Sequence, residues 1–310
     1  MSALLARLID DAALFPPERA PMDRALAAHR AVSGVSRSTR PDPLVGRFLC
    51  PASRFAELRT HLVPEDLLDL GLIADTGLEE LPKALDAVRA EPRVRPSSVE
   101  IALPRDADQA RAAAVAIARL PPGVPARIEV RRSPGWLHAL DRIASARARF
   151  AQEAAAVGGL GSGHGDEHGG ALGAKVRVGG APAGEGSGVD ALAAFISGCA
   201  ERGLPFTCAG GTDHAVRGAG AQGPLDLLPT VLLAAAHAAA GDTERGVRRI
   251  LERGDARSVA RDLLALTDGE ARALRRLLVA FGTSGVLGAR AELVAAGLIR
   301  TPETGEDMPP

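Results

Sequence analysis

The sequence predicts a single (β/α)8 barrel of the TIM type, and three observations carry that reading. Eight short apolar or alternating runs recur along the 310 residues, and Ala-rich helical stretches separate them. The turn after the first run, Phe15-Pro16-Pro17-Glu18, has none of the glycines that open a dinucleotide-binding sheet, which disfavours the open doubly wound alternative. Eight strands alternating with eight helical segments is the arithmetic of a barrel.

Taken in order, the expected strands are 8–15, 45–50, 69–74, 98–103, 126–131, 174–179, 205–209 and 277–282. The first carries Asp10 and Asp11 between apolar residues and stops at Pro16-Pro17. The fourth to sixth alternate strictly, and the seventh and eighth run into glycine. Helical patterning is expected over 22–32, 53–61, 78–90, 107–119, 136–157 and 189–202, then as one long block over 225–274, and finally over 289–296. The barrel is assigned to residues 1–300, with a Gly-rich insertion at 158–173 and a disordered polar tail at 301–310. That insertion joins a helix to a strand, so it belongs to the bottom of a barrel. The second Gly-rich tract, 179–188, follows a strand and belongs to the top, where barrel chemistry occurs. Residues 33–43 read as another bottom loop.

Thirty-seven basic against 38 acidic residues give a net charge of −1, so no electrostatic footprint for nucleic acid or an anionic membrane is expected. The longest apolar stretch, 227–240, is interrupted by Pro and His and ends at Gly241, short of the ~20 residues of a bilayer span. The first 14 residues lack the basic and apolar regions of a secretory signal, and a cytoplasmic location is the expectation. Cys50, Cys199 and Cys208 have neither disulfide-framework nor zinc spacing and read as reduced thiols. His164, Asp166, Glu167 and His168 cluster in the 158–173 insertion, but glycines preorganise nothing around them, so no metal site is assigned and no cofactor is expected. The expected partner is a small-molecule substrate, and homo-oligomerisation is compatible with the sequence.

Only Lys83 and Lys175 stand among the 37 basic residues, which makes the position of each informative. In Lys175-Val176-Arg177-Val178, period-two alternation puts both valines on one face and both cations on the other. Barrel helices need an apolar wall, so Lys175 and Arg177 are expected to face the axis. The same phase turns Arg127, Glu129 and Arg131 inward on the fifth strand and Glu100 inward on the fourth. Glu100, Glu129, Lys175 and Arg177 thus form a predicted charged cluster on adjacent strands. A structural salt-bridge layer is one use of it, and an active site is another. Arg177 and burial are expected to lower the Lys175 pKa, leaving free amine to attack a carbonyl and form a Schiff base. Glu129 and Glu100 would then carry protons, with Arg177 holding an anionic group. Arg47 is expected to face the mouth and bind substrate, as is Asp10 or Asp11 on the first strand, Asp11 being the one assigned. Asp75 at the end of the third strand is a further candidate for the mouth. Asp213 and His214 follow the seventh strand on the catalytic side, with His214 a candidate acid or base. Gly210 and Gly211, with Thr283 and Ser284, offer the anion-binding turns that barrels place after strands seven and eight.

The stretch 174–180, followed by a helix and Pro205-Phe206-Thr207-Cys208-Ala209-Gly210-Gly211, resembles strands six and seven of the deoxyribose-phosphate aldolase family. The resemblance implies a Schiff-base role for Lys175. Thr207 stands where that family carries a second lysine, which leaves Arg177 as the neighbouring cation. A broader resemblance is to an uncharacterised bacterial barrel family marked by A-G-L-F-P-P, K-x-R-x-G-G and F-K-A-T-A-G-L-H-H stretches. Here these read Ala12-Ala13-Leu14-Phe15-Pro16-Pro17, Lys175-Val176-Arg177-Val178-Gly179-Gly180 and Phe206-Thr207-Cys208-Ala209-Gly210-Gly211-Thr212-Asp213-His214. That likeness implies a barrel and brings no activity. The leading expectation is a lyase of class I aldolase type acting on a small anionic carbonyl metabolite. The alternatives are a sugar-phosphate isomerase or epimerase using carboxylates and His214, and a catalytically degenerate barrel that binds a ligand or partner.

Overall fold

The computed structural model describes residues 2–33, 43–121, 123–156, 172–178, 188–210 and 227–299. A short helix, α1 (Ser2–Leu5), precedes β1 (Ile9–Asp11), α2 (Met22–Ser33) and β2 (Val45–Pro51). A 3-10 turn (Ala52–Arg54) leads into α3 (Phe55–Thr60), β3 (Leu68–Ile73), α4 (Leu81–Arg89), β4 (Val94–Ala102), α5 (Gln109–Ala118) and β5 (Ala126–Glu129). Then come α6 (Trp136–Ala156), β6 (Leu172–Val178), α7 (Val189–Glu201) and β7 (Phe206–Gly210), the four helices α8 (Leu227–Ala239), α9 (Glu244–Leu251), α10 (Ala256–Leu264) and α11 (Asp268–Leu277), β8 (Leu278–Thr283) and α12 (Val286–Ala295). Each strand pairs in parallel with the next and β8 returns to β1, so the sheet closes into a (β/α)8 barrel.

Two expectations change in detail. The first strand is three residues long rather than eight, because the Asp11 carboxylate accepts from the Ala13 N–H and Phe15 N–H bonds back to the Ala12 carbonyl, turning the chain off the sheet. The block 225–274 is four helices rather than one. Thr243 and Asp255 cap α9 and α10 with side-chain acceptors, and Thr267 with Glu270 forms a capping box at the start of α11. A capping side chain satisfies backbone N–H groups that would otherwise be orphaned, so each cap fixes a new helix start.

The apolar core lies between the barrel wall and the helices. Ile128, Val130 and Val178 belong to it and Val176 packs against it, while Phe206 meets Phe195 of α7 edge to face, with ring centroids 5.5 Å apart. These outward residues set the phase of β5 to β7 and leave the alternate positions to the axis. The axis is correspondingly polar: Asp10, Arg47, Ser98, Glu100, Arg127, Glu129, Lys175 and Thr207 are all buried. Leu49 is also buried yet stands apart from the core cluster. A Cβ built on Gly71 would lie 2.5 Å from Leu49 Cδ2, and one on Gly282 would lie 3.4 Å from its Cδ1. Leu49 therefore packs across the axis over two positions that have no side chain.

Among the described residues, no helix is long and apolar enough to cross a membrane.

Candidate active site at the C-terminal end of the barrel

Lys175, Arg177, Glu100 and Glu129 come from the C-terminal parts of β4, β5 and β6, the end of a barrel where side chains from several strands converge. Register explains the meeting. Glu129 lies level with Lys175, and Ala102 with Glu129, so Glu100 sits one pleat lower on β4 and reaches up to the lysine. Lys175 Nζ donates to Glu100 Oε2 at 2.5 Å and lies 3.4 Å from Glu129 Oε2. Arg177 donates to both Glu129 oxygens, from Nε at 3.3 Å and Nη2 at 3.2 Å, and Arg131 Nη2 lies 3.4 Å from Glu129 Oε1. The Lys175 side chain is 5% exposed, whereas that of Arg177 is 46% exposed. The cluster thus has a sealed inner end and an open guanidinium at the rim.

The electrostatics correct one expectation. Burial pulls the Lys175 pKa down, but Glu100 and Glu129 outweigh it and hold the ammonium above its ordinary value, with Arg177 opposing them weakly. The lysine rests protonated, not as free amine, because the two carboxylates at 2.5 and 3.4 Å from Nζ outweigh burial and Arg177. Burial raises the Glu129 carboxyl, yet Lys175 and Arg177 overcome this and carry it down to about 2. Glu129 is a fixed anion. It lies within 3.4 Å of Lys175 Nζ and 3.2 Å of Arg177 Nη2, and its depressed carboxyl does not suit the proton-carrying role expected of it.

A second charged group faces the axis from β1 and β2. Asp10 Oδ1 accepts from the Arg47 backbone N–H at 2.8 Å and from its Nε at 3.3 Å. Burial raises the Asp10 pKa, with Arg47 acting against it and Glu100 adding to it. Gly46 makes room for this carboxylate, since a Cβ there would lie 2.6 Å from Asp10 Oδ1. Arg47 therefore faces the interior as expected. Asp11 does not: it sits on the helix side of β1, where its Oδ2 lies 3.0 Å from His29 Nδ1 of α2, both residues buried. With Ile9 in the outer core, alternation turns Asp10 inward and Asp11 outward. The three-residue length of β1 sets this phase and puts Asp10, not Asp11, on the axis. Arg127, fully buried below Glu129, donates from Nη1 to the Ala126 carbonyl. It fits because a Cβ at the adjacent Gly173 would fall 3.2 Å from its Cδ.

The remaining candidates divide. Gly210 ends β7 at φ +94°, and an added Cβ would strike the Val178 carbonyl oxygen, so this glycine allows β7 to approach β6 closely. Thr283 is buried at the end of β8. Its carbonyl accepts from Ala12 N–H at 2.8 Å and its Oγ1 from Gly285 N–H at 3.2 Å, which turns the chain into α12; Ser284 beside it is half-buried. Gly211, Asp213, His214, Gly179 and Gly180 lie outside the described residues, as do His164, Asp166, Glu167 and His168 with most of the 158–173 insertion, and the tail 301–310. The three cysteines are free and buried, and burial pushes the Cys50 and Cys208 thiols up to about 12, which makes them poor nucleophiles. Among the described residues no three His, Cys, Asp or Glu side chains gather as a metal site would require.

Among the described residues, the cations around the axis, Arg47, Arg127, Arg131, Lys175 and Arg177, outnumber the carboxylates Asp10, Glu100 and Glu129. Excess positive charge with one guanidinium half-open at the rim suits a small anion. Comparison with protein-family models, with curated proteins and with solved structures finds no match for this chain.

Proposed function

We propose that the C-terminal end of the barrel is the active site of a lyase of class I aldolase type, acting on a small anionic carbonyl compound through Lys175. The observation that carries this reading is a lone interior lysine whose Nζ lies 2.5 Å from the Glu100 carboxylate. Arg177, half-open at the rim, binds the anionic group of the substrate. Binding brings the carbonyl to Nζ, and the ammonium passes one proton to Glu100. The free amine adds to the carbonyl carbon, and the resulting carbinolamine loses water to give a protonated imine. Glu100 gives its proton to the water that leaves. As the adjacent C–C bond breaks, its electron pair moves into the C=N bond while the hydroxyl on the departing carbon returns a proton to Glu100, so that the second fragment leaves as a carbonyl compound. The enamine left behind takes a proton at carbon, and water releases the product from Lys175. Glu129 stays ionised throughout and holds Lys175 and Arg177 in place.

Because the carboxylates hold the lysine pKa above its ordinary value, the fraction of free amine grows as pH rises, and so does the rate of imine formation. Incubation with borohydride and anionic aldehydes or ketones should therefore give an irreversible mass increase, faster at pH 9 than at pH 7, in the wild type and not in Lys175→Met. The protonated resting state also supports a second reading, in which the ammonium is a general acid for isomerisation or epimerisation. Exchange of substrate C–H for solvent deuterium without any trapped adduct would favour that reading.

A further inference from the structure

We propose that Thr207 determines substrate specificity: its hydroxyl binds a neutral hydroxyl group carried on a carbon next to the carbonyl that Lys175 engages. The substrate class is then an anionic α-hydroxycarbonyl compound, and this inference rests on the reading of Lys175 given above.

The geometry points to Thr207 in three ways. Phe206 and Cys208, its neighbours in β7, both belong to the outer core, so Thr207 between them faces the axis. It lies level with Lys175 in the β6–β7 ladder, where paired backbones run about 4.8 Å apart, so both side chains rise from the same level of the wall. Thr207 is 3% exposed, and its Oγ1 has no hydrogen-bond partner among the described residues. A buried hydroxyl is normally satisfied. One left open beside a reactive lysine is a place for a ligand to supply the bond.

The surroundings select the kind of group. On the β4 to β6 side Lys175 faces carboxylates and Arg177. On the β7 and β8 side the positions level with Lys175 and Arg177 are Thr207 and Ala209, and those level with these in turn are Ala280 and Gly282. That side offers small, uncharged side chains and one hydroxyl, which suits a neutral polar substituent and leaves the anionic end of the substrate to Arg177. A ligand bearing a methyl group at this point would keep the Thr207 hydroxyl buried and unpaired, which is how such sites reject deoxy analogues.

The test uses two probes that differ by one hydroxyl, dihydroxyacetone phosphate and hydroxyacetone phosphate, titrated by calorimetry without reductant into wild type, Thr207→Val and Thr207→Ser. One net hydrogen bond corresponds to roughly five- to tenfold in affinity. The wild type should prefer dihydroxyacetone phosphate by about that factor or more. Thr207→Val should erase the preference by weakening that probe alone, and Thr207→Ser should restore it. Equal weakening of both probes in Thr207→Val, a preference that survives the substitution, or a wild type that binds neither probe or shows no preference would overturn the inference. Borohydride trapping with the same probes judges Lys175 separately. Discrimination without adduct would refute the Schiff base and keep the role of Thr207, whereas adducts on both probes without discrimination would do the reverse.

Discussion

Replacing Lys175 by methionine keeps most of the side-chain volume and removes the ammonium that bridges Glu100 and Glu129. The two carboxylates are not affected equally. Glu129 retains Arg177 and Arg131, at 3.2 and 3.4 Å, whereas the 2.5 Å bond from Lys175 is the ion pair that holds Glu100. The substitution therefore leaves one buried carboxylate, 4% exposed, without its cation. Breaking a buried pair in this way costs about 3–5 kcal/mol. An unfolding entropy of about 2.1 cal/mol/K per residue, applied to 310 residues, converts that cost to a fall of about 5–8 °C in Tm. Calorimetric unfolding at pH 7 measures it. The double substitution Lys175→Met/Glu100→Gln removes both charges and should recover more than half of the loss, since a neutral pair needs no counter-ion. The ion pair also has a pH signature. A lysine whose folded pKa is raised stabilises fully below about pH 10.5, and that stabilisation is lost as pH rises through the folded value. A Tm change under about 1 °C in Lys175→Met, or no recovery in the double variant, would refute the account of the buried cluster.

Two other outcomes follow from the same geometry. Glu129 has its carboxyl depressed from 4.5 to about 2, a contribution of about 3 kcal/mol that is complete above pH 4.5 and lost as pH falls towards 2. Stability measured from pH 6 to pH 2.5 should therefore decline less steeply in Glu129→Gln than in the wild type, and parallel curves would contradict the assignment. Gly210→Ala places a Cβ against the Val178 carbonyl at φ +94°, so it should destabilise by about 3 kcal/mol from strain and overlap together. An unchanged denaturant midpoint would show that β6 and β7 can part there without cost.

Alternation made most of the barrel wall legible in the sequence. Ile128, Val130, Val176 and Val178 had to meet helices, which fixed Glu129, Lys175 and Arg177 on the axis without any knowledge of distances. The same rule separates Asp10 from Asp11, but only once the first strand is known to be three residues long, and that length depends on the Asp11 side chain closing a turn on Ala13. The charge state of Lys175 was not legible. Period-two patterning places two carboxylates and a guanidinium around it but gives no distances, and the sign depends on Glu100 and Glu129 lying at 2.5 and 3.4 Å from Nζ. The four helices before β8 were hidden because caps are single residues inside a continuous amphipathic pattern. The open hydroxyl of Thr207 was hidden too, since whether a buried group has a partner is a property of the packed interior.

Lys175 is the proposed nucleophile, and the composition makes this role easy to test, since Lys83 and Lys175 are the only lysines in the chain. Wild type reduced with borohydride in the presence of dihydroxyacetone phosphate can be digested and its adduct mapped by peptide mass spectrometry. A single adduct on the peptide bearing Lys175, with Lys83 and the N-terminal amine unmodified, is the predicted result. An adduct confined to Lys83 or the N-terminus, or an unmodified Lys175 at every pH up to 9, would contradict it.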